Sequence, residues 1–411
     1  MRKRGVLALA CLCAPAVAAE VAPATFGVEA RVRHETYRNN LWGGAEAPDD
    51  SYRWLRVMPS ADLRPGPNLR LFGELIGAWA DGVEPEEGPV DETGLDLLQG
   101  YAQLRFDNGL SLQGGRQLLV YGSERLIGRR WGPNVPQAFD GGLARIESGA
   151  GWHVDAFFMR PVENKPQAFD DGSDASRKLW SLYATRDGVD LFYIGYRREN
   201  ARFEQGTGRE LRHTFGSRLF GAAGGWAWDL EAHWQFGDFA GGEIRAWSIA
   251  TDVRHTFAQA KLKPFIELRA CAVSGDRGAA DPALNTFNAM FPKGKYFGEI
   301  GLLGPYNLVN LHGIAGIDLG RGWSLRGAVA YHWRQSVEDG VYNNPGQLVR
   351  ASGGSRARSI GAMAEAVLGW SPARGTDLEL AYAVFEPGRF IKDTGPASTV
   401  HFIGVELQWR Y

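Results

Sequence analysis

From Thr25 to the last residue, apolar and polar side chains alternate in segments of about ten residues, each closed by turn residues. In the last segment Ile403, Val405, Leu407, Trp409 and Tyr411 share one face, while Glu406, Gln408 and Arg410 share the other. Trp226, Trp228, Leu230, Trp234 and Phe236 alternate likewise with Asp229, Glu231, His233 and Gln235. A period of two marks extended strands, whose successive side chains point to opposite faces. Soluble sandwiches alternate too, so the spacing of the turns has to decide. About eighteen strands can be read, from 26–38 and 51–63, through 143–148 and 260–273, to 376–386 and 398–411. Connections after even-numbered strands are brief, as at Pro65-Gly66-Pro67, Asp107-Asn108-Gly109, Asp187-Gly188 and Gly320-Arg321-Gly322. Those after odd-numbered strands are mostly long: 39–50, 81–94, 119–142, 161–177, 274–305 and 335–356. A closed wall with two different rims sorts its connections in this way. The pattern predicts an all-β fold, a transmembrane antiparallel β-barrel of about eighteen strands with short periplasmic turns and long extracellular loops.

Composition agrees. Aromatic residues make up 12% of the chain and 54 of its 411 residues are Gly, at a mean hydropathy of −0.26. So many aromatics exclude a disordered chain, and the sequence holds no run of apolar residues long enough for a membrane helix. Arg2, Lys3 and Arg4, the apolar stretch Gly5 to Pro15 and the small residues Ala16-Val17-Ala18 predict a cleaved signal peptide over 1–19. The barrel is then expected over 20–411, in the outer membrane. Cleavage would leave Cys271 as the one cysteine, so no internal disulfide is expected. Acidic and basic residues nearly balance, with 45 Lys+Arg against 47 Asp+Glu, and net charge therefore selects no partner.

Motifs for hydrolysis, phosphate binding or metal ligation are missing from the sequence. Barrel enzymes are built on small, packed barrels, whereas about eighteen strands enclose a water channel or a plug. A channel, not an enzyme, is expected, with neither metal nor cofactor.

Two stretches stand apart from the strand pattern. One runs Gly115-Arg116-Gln117, Arg125-Leu126, Arg129-Arg130-Trp131 and Phe139-Asp140-Gly141. The other runs Thr286-Phe287-Asn288, then Phe291-Pro292-Lys293-Gly294-Lys295-Tyr296-Phe297-Gly298-Glu299. In these blocks the sequence resembles the alginate export family of outer-membrane barrels. The resemblance implies an eighteen-stranded barrel that exports an acidic, alginate-like exopolysaccharide through an Arg/Lys-lined pore. It also implies a gating periplasmic loop, yet this chain has no long even-numbered connection. A guanidinium offers forked donors that replace water around a uronate carboxylate, and weak, distributed binding lets a polymer slide. The alternatives are a substrate-specific porin taking up small organic anions and, less well supported, a barrel enzyme acting on lipid or polysaccharide.

Strand parity points Arg56, Arg105 and Arg145 into the lumen. It points Arg116 outward with Leu110 and Leu112, unless a bulge at Gly114-Gly115 resets the register; the family block favours the inward choice. Arg125, Arg129 and Arg130 stand behind these as loop cations. Lys293, Lys295 and Tyr296 combine cations with aromatic rings, a pairing suited to sugar acids. Cys271 is expected inside the barrel beside Arg269, with no role. The expected partners are an anionic polysaccharide, outer-membrane lipid and periplasmic export-machinery proteins, not nucleic acid, and the chain is expected to act as a monomer.

Overall fold

A computed structural model describes residues 23–44, 49–83, 88–130, 132–278 and 281–411; the signal peptide expected over 1–19, and Trp131, lie outside them. The wall is a closed antiparallel barrel of eighteen strands. Its first half comprises β1 (Ala24–Arg38), β2 (Asp50–Leu63), β3 (Leu69–Asp81), β4 (Thr93–Arg105), β5 (Leu110–Leu118), β6 (Ala138–Glu147), β7 (His153–Glu163), β8 (Arg177–Arg186) and β9 (Val189–Phe203). The second half comprises β10 (Gly206–Ala223), β11 (Trp226–Phe239), β12 (Gly242–Thr256), β13 (Phe265–Val273), β14 (Leu308–Gly320), β15 (Trp323–Arg334), β16 (Ser359–Ala373), β17 (Thr376–Pro387) and β18 (Val400–Arg410). Each strand pairs with its neighbours in sequence, and β1 closes the circle on β18, from Glu29↔Arg410 to Arg38↔His401. The C-terminal Tyr411 seals the seam, exchanging backbone hydrogen bonds with Val28 at 2.9 and 3.1 Å. Closure leaves no strand edge unpaired, which a wall in lipid requires.

The alternation read from the sequence becomes an inside and an outside. Val32, Leu55, Phe158, Leu182, Phe215, Trp234 and Ile249 are exposed on the outer face. Arg31, Arg33, Glu35, Arg56, Arg212, Gln235 and Glu267 are buried within. Trp226, Trp323 and Trp409 sit at the short-turn rim, where an amphipathic ring suits a headgroup layer.

Two strand starts differ from the sequence reading. β6 begins at Ala138, so Phe139-Asp140-Gly141 is wall and pairs with β5. Glycines at Gly141 and Gly142 hide the alternation there, and they allow close backbone approach. Gly115 is required in the same way: φ is +129°, and a Cβ would lie 2.2 Å from the Gly100 carbonyl oxygen. β13 begins at Phe265, because the 257–264 turn is closed by the Phe257 amide on the Pro264 carbonyl at 2.8 Å. The 388–399 connection holds a short helix, α1 (Arg389–Thr394), that the sequence did not suggest.

Candidate functional site

The 119–137 connection folds into the lumen and is strapped there at both ends. At one end Arg125 meets carboxylates of β11 and β12: Glu231 at 2.7 Å, Asp252 at 3.1 Å and Asp229 at 3.4 Å. At the other end the connection offers backbone carbonyls to arginines of the opposite wall. Arg31 donates to Pro133 at 2.9 Å, Arg33 to Gly132 at 3.0 Å and Arg56 to Asn134 at 3.1 Å. Buried guanidinium groups are costly unless their donors are used, so each strap needs its partner.

The 274–307 connection enters beside it. The Gly128 amide donates to the Phe291 carbonyl at 2.8 Å, the Phe291 amide to Leu126 at 3.0 Å, and the Lys293 amide to Glu124 at 2.9 Å. Phe291 packs edge-on against Phe139 of β6 and Tyr196 of β9, at 5.0 and 5.5 Å. The two blocks that stood apart in the sequence are thus one plug. Asp339, in the 335–358 connection, fastens it from above by accepting from Thr286 Oγ1 at 2.7 Å and the Asp276 amide at 2.9 Å.

Beside the plug are two cavities. The extracellular one, about 470 Å³, is lined by Arg130, Tyr52 and Trp54 and by parts of the long connections. The periplasmic one, about 480 Å³, is lined by Arg269, Lys293, Tyr296 and Glu379. Arg33, Gly294, Lys295 and Glu299 border both cavities, and this shared boundary is here called the eyelet. Charges at the eyelet are paired. Arg33 holds Glu35 at 2.6 Å, Glu406 at 3.4 Å and Glu299 at 4.0 Å. Lys295 holds Glu299 and, at 3.3 Å, Glu35.

Arg130 and Lys293 differ from these. Among the described residues neither has a carboxylate within ion-pair distance, and each lines one of the two cavities. Burial and the neighbouring Arg177 hold the Arg130 guanidinium down at about 10, still a cation at neutral pH. Burial, then Arg269 and Arg125, also lower the Lys293 ammonium. Arg130 (φ 56°) and the eyelet's Lys295 (φ 50°) both occupy the left-handed backbone region. Such strain costs about 1–3 kcal/mol and collects at functional sites.

The remaining predicted residues scatter. Arg56 lies in the strap and pairs with Glu29 at 2.7 Å, and Arg129 reaches the same carboxylate at 3.6 Å. Arg145 makes a forked pair with Asp155. Arg105 ends β4 at the short-turn rim, exposed and far from the eyelet. Arg116 is a correction. The register of β5 runs unbroken from Leu110 to Leu118, so no bulge turns Arg116 inward. It stays on the Leu112 face, paired with Asp140 at 2.8 Å and donating to the Leu97 and Asp171 carbonyls. That joins β4, β6 and the 164–176 connection. Tyr296 is buried behind the eyelet, and Cys271 is buried on the inner face of β13. Sequence reading passed over Glu299 and Glu406, the acids that compensate the eyelet. Glu299 closes the second block, four residues after Lys295, and that spacing was the available signal.

A closed eighteen-stranded barrel with a lumen plug and two cavities beside it defines an outer-membrane channel of the porin type. The chain belongs to the alginate export family, whose model matches residues 22–405. Among solved structures it is similar to Pseudomonas aeruginosa OccK2 (OpdF) in complex with glucuronate, with a TM-score of 0.62 and 13% identity over 94% of this chain and 97% of that one. It is similar also to Acinetobacter baumannii OccAB1, with a TM-score of 0.64 and 13% identity over 94% of this chain and 96% of that one. Identity so low speaks for the fold alone. No curated protein matches the sequence.

Proposed function

We propose that this channel passes an acidic, alginate-like polysaccharide outward, the chain sliding through the eyelet while synthesis pushes from behind. One observation carries the reading: Arg130 and Lys293, without carboxylate partners among the described residues, flank the eyelet on its two sides. A uronate polymer entering from the periplasm would meet Lys293, pass Arg33 and Lys295, and leave past Arg130. At the eyelet its carboxylates would exchange with those of Glu35, Glu299 and Glu406, which keeps each contact weak. Membership of the alginate export family supports the direction and the substrate.

A second reading, uptake of a small sugar acid, draws on the glucuronate complex of the similar OccK2 and on cavities at the small end of the usual ligand range. Single-channel recording separates the two. Oligouronates added on the periplasmic side should interrupt the current for longer as they lengthen, and neutral oligosaccharides of equal length should not. Interruption by monomeric glucuronate alone would favour uptake; none by either acid would dismiss both.

A further inference from the structure

The outer wall carries a charged feature unconnected with the lumen. On β7, β8 and β9 the outward residues include Phe158, Leu182 and Leu191, all exposed. Toward the long-loop rim Phe158 pairs in register with Trp180, and Trp180 with Gly195. Gly195 is needed there, since a Cβ would lie 2.0 Å from the Trp180 ring, which lies across β9. Trp180 donates to the Tyr193 hydroxyl at 3.3 Å, and that hydroxyl meets His213 Nδ1 of β10 at 2.7 Å. The result is an aromatic row with polar tips, as expected where hydrocarbon gives way to headgroups.

Two residues further toward the rim the outward positions turn basic on all three strands. Lys178 pairs in register with Arg197, and Arg160 follows Met159, whose partner is Leu179, the residue next to Lys178. Val189 and Arg197 are eight residue steps apart, about 26 Å along the strand at ~3.3 Å per residue. At a tilt of ~40° this is about 20 Å of height, against an apolar band of about 25 Å. The basic row therefore stands just inside the outer edge of that band, where long Lys and Arg side chains reach up to the outer-leaflet headgroups. Among the described residues neither Arg160 nor Lys178 has a carboxylate within ion-pair distance. Arg197 pairs with Glu199 at 2.6 Å through one terminal nitrogen, while its buried Nε has no hydrogen-bond partner.

We propose that Arg160, Lys178 and Arg197 form a docking row for the phosphate groups of a phosphorylated glycolipid in the outer leaflet, with its acyl chains against Phe158, Trp180 and Leu182. Three cations at one height, above an aromatic row and facing lipid, complement an anionic headgroup. A forked guanidinium and an ammonium suit phosphate oxygens.

The test uses the purified full chain in detergent and native mass spectrometry of retained lipid. Diphosphoryl lipid A and the same lipid stripped of phosphate are supplied in turn, to the wild type and to Arg160→Gln/Lys178→Gln/Arg197→Gln. The wild type should retain the phosphorylated lipid at least about tenfold better than the stripped one, and the triple variant should lose that preference. Equal retention of both lipids by the wild type would overturn the proposal, and so would an unchanged preference in the variant. Full competition by millimolar inorganic phosphate would overturn it too, by showing a site for the free anion. Should the triple variant fail to fold, the wild-type comparison still decides.

Discussion

Ile127 and Phe291 form a parallel β-bridge in the lumen, which ties the two inserted connections to one another. The plug's rigidity rests on that contact and on the straps at either end of the 119–137 connection.

Replacing Phe291 by Ala should loosen the plug without opening the wall. The ring is buried against Phe139 and Tyr196, and truncating a buried Phe costs about 3–5 kcal/mol. Single-channel recordings should show larger and noisier conductance, while gel mobility still shifts on boiling as for a folded barrel. Unchanged conductance would mean that the plug is held elsewhere.

Arg125→Ala should leave Glu231, Asp229 and Asp252 without their shared cation. Removing one partner of a buried pair costs about 3–5 kcal/mol; Asp229 and Asp252 keep Arg218 and Arg269 as partners, which holds the loss near the lower end, about 3 kcal/mol. Amide hydrogen exchange should rise across 119–137 and also, through the bridge to Phe291, across 286–293. Exchange rising in the first stretch alone would contradict a single plug.

Burial pushes the Asp339 carboxyl up to about 6, although Thr286, Tyr342 and backbone amides donate to it. The folded chain thus keeps this proton up to about pH 6, whereas the unfolded chain releases it near pH 4. Stability therefore rises as the pH falls from about 6 to about 4, and is lost on going back up. Exchange in 274–307, corrected for its intrinsic pH dependence, should slow between pH 7 and pH 5. Asp339→Asn should abolish that change; a variant that keeps it would place the titrating group elsewhere.

Arg116→Ala should lower thermal stability, by about 2 kcal/mol for a forked charged pair, and leave ion selectivity as it was. A shift in selectivity would place the guanidinium in the pore after all.

The wall was legible in the sequence because alternation and sorted connections are local, repeated signals: β15, predicted over 323–334, spans Trp323–Arg334. Where glycines interrupt alternation, as at Gly141 and Gly142, the strand start was lost. The site was legible only as two unusual blocks. Arg56 and Arg125 came from parity and the family block, but their partners Asn134, Glu231 and Asp252 are distant in sequence, and nothing local pairs them. Arg116 shows the reverse, since plain parity gave its face and the motif argued against it. Glu299 and Glu406 were overlooked because an acid inside a pore read as cationic looks like filler, until the fold brings it to Arg33.

The central claim is that Arg130 and Lys293 make the passage attractive to anions even though the eyelet itself is charge-paired. Reversal potentials in planar bilayers across a potassium chloride gradient test it most directly, for the wild type and for Arg130→Gln/Lys293→Gln. The wild type should prefer chloride at low salt, the double variant should lose most of that preference, and high salt should narrow the difference by screening. A cation-selective wild type, or a double variant with the same reversal potential, would contradict the claim.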